Sequence, residues 1–332
     1  MKVVEKGVSI ILCTYNGKNR LKSTFQHIFK QKTKVPIEVV FVDNASTDET
    51  KSMADNWWKE NAVEHITYVS VIQSIPGKSY AQDLGYTKAK YEYLIICDDD
   101  NWLCDTYVQT AYDIMSSNSQ IGALGGWCDA VFESNKPLWF DKYARFFAVS
   151  KQGTDSGDIT QKKGCLYGAG MVIRKSHWIK LKKIGFEHLL SCRKGKSLSS
   201  GGDTEYSYAL RLLGYKIWYD ERLYFKHYMI NSRLNFNYLS RLRKAMTFSN
   251  FILWPYLDLL NNKPNTYNYF ISRVLLGFPK RTLIKLKHAI SGNYESKEQA
   301  KFYFRTFYYS LFYYKNYRAN RNLIEQWLKN KM

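Results

Sequence analysis

Val8-Ser9-Ile10-Ile11-Leu12-Cys13 is an almost unbroken apolar run that ends in the polar Thr14-Tyr15-Asn16-Gly17. A run with no polar face predicts a strand covered on both sides. The spacing then turns helical at Leu21, Phe25, Ile28 and Phe29. Val39-Val40-Phe41-Val42 predicts a second strand, ending in Asp43-Asn44-Ala45-Ser46-Thr47-Asp48, and Ile66 to Ile72 a third. A helix from about Ser79 to Lys88 leads to the run Tyr93-Leu94-Ile95-Ile96-Cys97, which ends in Asp98-Asp99-Asp100. Tyr107, Val108, Ala111, Tyr112 and Met115 mark the next helix. This alternation predicts an α/β fold, a mostly parallel central sheet with helices on both faces. Ligands of such sheets bind beyond the carboxyl ends of the strands. Thr14, Tyr15, Asp43 and the acidic triplet should therefore meet in one cleft.

Three adjacent carboxylates stay ionised at low cost only beside a cation or strong donors. In a strand residues two apart point the same way, so Asp98 and Asp100 are expected to aim at one point, with Asp99 facing elsewhere. Two hard oxygen ligands with open positions suit Mn²⁺ or Mg²⁺ bridging a diphosphate. The plain alternative is a solvated acidic turn. Asp203 and Glu205 follow two glycines and open a helix with Ala209, Leu210 and Leu213 on its apolar face. Acids in a first turn are ordinary capping chemistry, worth about 0.5–2 kcal/mol. The functional alternative is a general base that takes a proton from an acceptor hydroxyl. Leu166 to Ile173 predicts a strand interrupted by Gly168 and Gly170, at a bulge or at the close approach of a ligand. Pro76-Gly77-Lys78-Ser79 is similar to the end of a phosphate-binding loop, but the first glycine would fall at Ile72, which excludes that motif.

Val8 to Tyr15, Val39 to Asp48, Cys97 to Asp100 and Ser200-Gly201-Gly202-Asp203-Thr204-Glu205, followed by Ala209 to Tyr215, together resemble the family 2 glycosyltransferases of the GT-A fold. The resemblance covers roughly residues 7 to 235. It implies a Rossmann-like catalytic domain over 1–235, with nucleotide-sugar binding in 1–130 and the acceptor side in 131–235. It implies that Asp43 holds the nucleotide base, that Asp98 and Asp100 hold metal and diphosphate, and that Asp203 is the catalytic base. Glu205 is then expected to orient the acceptor. Thr14, Tyr15, Lys78 and Asp99 are expected around the nucleotide, and His227 as a further metal ligand. Two positions depart from the family pattern. Ala81-Gln82-Asp83 stands where Ala-Arg-Asn is common, and Gly202 where many relatives have Glu. The implied reaction is a metal-dependent, inverting transfer from a nucleotide-diphosphate sugar, with UDP the expected carrier. The implied acceptor is a hydroxyl of a glycan or lipid-linked molecule in cell-surface polysaccharide synthesis. Two other classes stay open: another nucleotide-sugar or phosphoryl-transfer enzyme, and a non-catalytic basic membrane- or polymer-binding protein on the same fold.

Charge changes the picture at the C-terminal end. The 332 residues carry a net +20, and residues 228–332 hold eighteen Lys/Arg against four Asp/Glu. Phe302-Tyr303-Phe304, Phe307-Tyr308-Tyr309 and Phe312-Tyr313-Tyr314 recur among Lys301, Arg305, Lys315 and Arg318. Residues 236–332 are expected to form a mainly helical extension. Its aromatics either pack on the catalytic domain or join the basic residues on an anionic membrane surface. Interleaved aromatic and basic residues can also stack bases, but no recognition motif is present, and no nucleic acid is expected. The six cysteines (Cys13, Cys97, Cys104, Cys128, Cys165, Cys192) show no C-x-x-C pair or zinc spacing, which fits buried thiols in a reducing cytoplasm. The N-terminus lacks the apolar core of a secretory signal. Phe251 to Leu260 is too short to cross a bilayer and contains Pro255 and Asp258. The expected location is the cytoplasm, with peripheral placement on the inner face of the plasma membrane as a second expectation.

Overall fold

Period-two alternation divides each apolar run between two cores. In the first strand Ile10 and Leu12 enter one cluster and Ile11 and Cys13 the other. In the second, Val39 and Phe41 separate from Val40 and Val42 in the same way, as do Ile95 and Cys97 from Leu94 and Ile96 in the fourth. A strand buried on both faces reads as a near-continuous apolar run, which explains the runs; the buried Ser9 and Glu38 interrupt the first two and hydrogen-bond each other. The computed structural model describes residues 4–190, 200–290, 292 and 294–331. Cys192 and the side chains of 276–278, 280, 285 and 287–289 lie outside that description.

The elements run β1 (Glu5–Thr14), α1 (Leu21–Phe29), β2 (Ile37–Asp43), α2 (Thr50–Asn61), β3 (Ile66–Ile72), α3 (Lys78–Lys88), β4 (Tyr91–Asp98), β5 (Asn101–Leu103), α4 (Tyr107–Ser117), β6 (Ile121–Phe132), α5 (Phe140–Tyr143), β7 (Gly157–Asp158), β8 (Val172–Arg174), α6 (Lys175–Lys183), α7 (Gly202–Leu212) and β9 (Lys216–Met229). Five helices follow: α8 (Phe236–Ile252), α9 (Trp254–Leu260), α10 (Tyr267–Ile290), α11 (Tyr294–Phe312) and α12 (Tyr314–Lys329). The sheet order is β3-β2-β1-β4-β8-β6-β9-β5, with β7 paired to β9. The first four strands are parallel; β8 runs antiparallel to both β4 and β6, and β6 runs parallel to β9.

Helices α1, α2 and α4 cover one face through Phe25, Trp58 and Val108. Helices α3, α6 and α7 cover the other through Ala81, Leu181 and Ala209. Phe251, Tyr256, Phe270, Ile324 and Trp327 of the C-terminal helices belong to that same second core. Each such side chain contributes about 1.5–3 kcal/mol on burial. The helical extension is thus built into the fold, mainly on this face of the sheet, while Leu239 of α8 enters the first core. At Gly85 of α3 a Cβ would lie 2.6 Å from Ile11 Cγ2, so only glycine lets the helix approach β1 this closely.

Two local expectations are corrected. Strand pairing in 166–173 is confined to Val172 and Ile173, continuing to Arg174. Ahead of it Gly170 takes φ +70°, and Met171 N–H donates to Gly168 O at 3.2 Å, closing a turn instead of a bulged strand. The strand carrying the triplet also stops at Asp98, so Asp99 and Asp100 lie in a turn before β5.

Candidate active site

Strand register brings the sequence motifs to one edge. Thr14 pairs with Asp43 across β1 and β2, and Cys13 with Asp98 across β1 and β4. Thr14, Asp43 and Asp98 therefore end three neighbouring strands at one level. Asp43 is buried, and its Oδ1 accepts from Ser46 N–H at 3.1 Å. Tyr15 is exposed at the mouth. Asn44, which sequence reasoning passed over, donates to Ile75 O and accepts from Gly77 N–H, each at 2.9 Å. It fixes the loop that delivers Lys78 at the start of α3.

Because the strand ends at Asp98, alternation does not carry through the triplet. Each acid takes its own cation. Lys78 Nζ lies 2.5 Å from Asp98 Oδ1 and 2.7 Å from Oδ2. Arg20 forks onto Asp99, with Nε donating to Oδ1 at 2.9 Å and Nη2 to Oδ2 at 2.8 Å, while Thr14 Oγ1 donates to Oδ2. Asp100 Oδ2 accepts from Arg233 Nη1 at 3.0 Å, and its Oδ1 accepts from Asn101 Nδ2 at 3.1 Å and lies 3.5 Å from His227 Nε2. His227 reaches this point from the long strand β9, where it pairs with Asn101 of β5. A Cβ at Gly17 would fall 2.0 Å from Thr14 Oγ1 and 2.5 Å from Asp99 Oδ2, so the chain turns against the triplet only as glycine.

Electrostatics follow this pairing. Burial pushes the Asp99 carboxyl up, and the charge of Asp100 adds to that against the pull of Arg20. Burial acts on Asp100 too, but His227, Arg233 and Arg20 outweigh it and hold the group well below the carboxylate range. Burial would lower Lys78; Asp98 first, with Asp203 and Cys13, holds it above its ordinary value. Lys78 thus feels both Asp98 and Asp203.

Asp203 is half-buried in the first turn of α7. Gly168 N–H donates to its Oδ2 at 2.7 Å and Thr204 N–H to its Oδ1 at 2.8 Å. The turn at Gly168 therefore serves to hold this carboxylate. Glu205 lies elsewhere, fully buried. It accepts from Leu189 N–H at 2.8 Å and Tyr256 Oη at 3.3 Å, and lies 3.4 Å from His188. The structure places it inside the core, joining α7 to α9 and to the segment after α6, rather than facing an acceptor. Arg20 and Arg233 were also passed over. Arg20 had a signal: it sits at the N-cap of α1, where a positive charge opposes the helix dipole and calls for an acidic partner.

Among the described residues, no three His, Cys, Asp or Glu side chains lie close enough to hold a metal alone. Asp100 and His227 nevertheless offer a carboxylate oxygen and an imidazole nitrogen 3.5 Å apart. Two such donors fit a cation that completes its shell with substrate phosphate and water.

A family model described as Glycosyl transferase family 2 matches residues 9–180, slightly more than half of the chain and all the strand ends just described except β9. The chain belongs to glycosyl transferase family 2. It is 25% identical over 144 residues to Glycosyltransferase GlyG of Streptococcus pneumoniae, covering 43% of this chain and 46% of that protein. It is 29% identical over 111 residues to Glycosyltransferase GlyA of the same organism, covering 33% of this chain and 15% of that protein. The matched part is thus less than half of either relative. The chain also shares its fold with S. aureus TarS 1-349, solved in complex with UDP-GlcNAc, at a TM-score of 0.52 and 16% identity over 98% of this chain and 90% of that one. No helix among the described residues is long and apolar enough to cross a membrane.

Proposed function

We propose that this family 2 enzyme transfers a sugar from a UDP-sugar to a hydroxyl of a glycan or lipid-linked acceptor, inverting the anomeric centre. The observation that carries the proposal is the placement of Asp203. Its carboxylate is held by the backbone N–H groups of Gly168 and Thr204 at the head of α7, and its charge acts on Lys78 together with that of Asp98. A base and a cation thus stand together at the carboxyl edge of the sheet. Asp203 takes the acceptor hydroxyl proton as the acceptor oxygen bonds to the anomeric carbon. The bond from that carbon to the diphosphate oxygen breaks on the opposite side, and the nucleoside diphosphate leaves with the electron pair. Lys78 stands where it can offset the charge that develops on the leaving group. Asp43, buried at the end of β2, holds the base, with Thr14 and Tyr15 beside it.

Asp100 and His227 would hold a divalent cation, with Asp98 kept by Lys78 and Asp99 by Arg20. Bound there, the cation supplies Lewis-acid stabilisation of the diphosphate. An imidazole donor beside the carboxylate favours Mn²⁺ over Mg²⁺. The fold shared with a UDP-GlcNAc complex of TarS supports a uridine carrier. Glu205 is assigned here to positioning the interior of the fold and not to the acceptor. The test is a donor screen. Nucleoside diphosphate release with Mn²⁺ should be fastest from a UDP-sugar, and the product should carry the anomeric configuration opposite to the donor's by NMR. Retained configuration, or release from GDP- or CDP-sugars alone, contradicts the proposal.

A further inference from the structure

The transfer reaction leaves one surface unexplained. On α11 aromatic side chains lie on both faces: Phe307 and Tyr309 pack inward against the core, and a second set points out. Its buried positions are Glu298, Ala300, Thr306 and Ser310. Its outward positions include Phe304, Tyr308, Leu311 and Phe312, with Phe304 61% and Phe312 69% exposed. Spacings of three and four residues put these side chains in one stripe. Lys297 stands at one end of it and Lys315 just beyond the other, both exposed. Helix α10, packed along α11, exposes Leu283, Leu286 and Ile290.

The inward acids are paired within the protein. Arg243 of α8 donates to both oxygens of Glu295, at 2.9 and 3.1 Å, and Lys301 donates to Glu298 at 2.7 Å. The hydroxyls of Thr306 and Ser310 donate back to helix carbonyls. All four acids of residues 228–332 are in ion pairs: Asp258 with Arg273, Glu295 with Arg243, Glu298 with Lys301, and Glu325 with Arg321. The net charge this segment presents outward is therefore positive. Exposed aromatics flanked by lysines, with no free acid, match an anionic lipid interface. A second copy of the chain would bring like charge against like.

We propose that the α10–α11 surface seats this enzyme on an anionic phospholipid bilayer, with the Phe304–Phe312 stripe at the acyl boundary and Lys297 and Lys315 among the headgroups. The inference does not depend on the donor or on the choice of base. The test is cosedimentation of the full chain with vesicles of phosphatidylcholine alone and of phosphatidylcholine with phosphatidylglycerol. Binding is expected only with phosphatidylglycerol, and it should weaken as salt shortens the screening length. Phe304→Ser with Phe312→Ser should lower the partition coefficient about tenfold or more. Lys297→Gln with Lys315→Gln should lower it at least about tenfold. Neither pair should alter donor hydrolysis or circular dichroism. Lys59→Gln with Lys88→Gln, exposed on other helices, should leave lipid binding unchanged. Three results overturn the proposal. The wild-type chain does not bind phosphatidylglycerol vesicles at low salt; the control pair loses as much binding as the Lys297/Lys315 pair; or the serine pair dissolves a dimer while lipid binding stays the same.

Discussion

Asp100 is kept ionised by its neighbours and not by water. His227, Arg233 and Arg20 outweigh its burial and hold its pKa far below the usual value. An unfolded aspartate titrates near about 3.9. The folded group lies lower, so its contribution to stability is complete above about pH 4–5 and is lost as pH falls toward the folded pKa. Asp100→Asn removes that contribution and leaves Arg233 without its carboxylate. Breaking a buried pair from one side costs about 3–5 kcal/mol. Urea unfolding of the variant should show a loss of that order at neutral pH, and the gap to wild type should narrow on acidification below about pH 4. The same variant should lose Mn²⁺-dependent donor affinity in calorimetry. A gap that widens with acid would mean that the pairing with His227 and Arg233 does not hold Asp100 ionised. Asp99 differs from its neighbour: burial and the charge of Asp100 push it up against Arg20. That contrast was not legible in the sequence, because Arg20 and Arg233 come from distant segments and only the fold brings them to the triplet.

At the scale of elements, what was legible was whatever burial on both faces makes apolar. β1, β2 and β4 appear in the residues as runs because each alternate position meets a different core, whereas β3, at the sheet edge, is buried only at Ile66. The helices between them show one-sided spacing for the same reason. What was misread lies where a turn looks like a strand. Gly168-Ala169-Gly170 is apolar enough to read as a strand, but Gly170 takes a left-handed conformation and the backbone turns toward Asp203. The triplet was misread in the same way, since alternation stops at Asp98. Two glycines separate packing from chemistry. Gly85→Ala places a methyl 2.6 Å from Ile11, and Gly17→Ala places one 2.0 Å from Thr14 Oγ1 and 2.5 Å from Asp99. Overpacking costs about 1–3 kcal/mol. Both variants should lower the melting temperature, but only Gly17→Ala should raise the donor Kd of the folded protein. Equal donor affinity in the two would remove Gly17 from the site.

At the scale of the molecule, the division at residue 235 read from the sequence marks where the helical extension begins, but the core does not stop there. Phe251, Tyr256, Phe270, Ile324 and Trp327 pack in the cluster that also holds Ile11, Val40 and Leu94. A chain cut after residue 235 would expose that face of the sheet. It should aggregate or lose its cooperative melting transition, and a truncated chain with the wild-type melting temperature would show that the extension is a separate unit. The extension's aromatics were legible as aromatics, but which of them pack inward and which face out depends on the pairing of α10 and α11. The catalytic account rests on Asp203, in the first turn of α7. Asp203→Asn keeps the shape and the Oδ1 partner of Thr204 but does not take a proton at neutral pH. The decisive measurement is single-turnover transfer by this variant at saturating UDP-sugar, with donor Kd measured on the same protein. The account predicts a rate lower by about 10²–10⁴ with Kd nearly unchanged. Transfer at close to the wild-type rate, or a loss that tracks donor affinity alone, would contradict it.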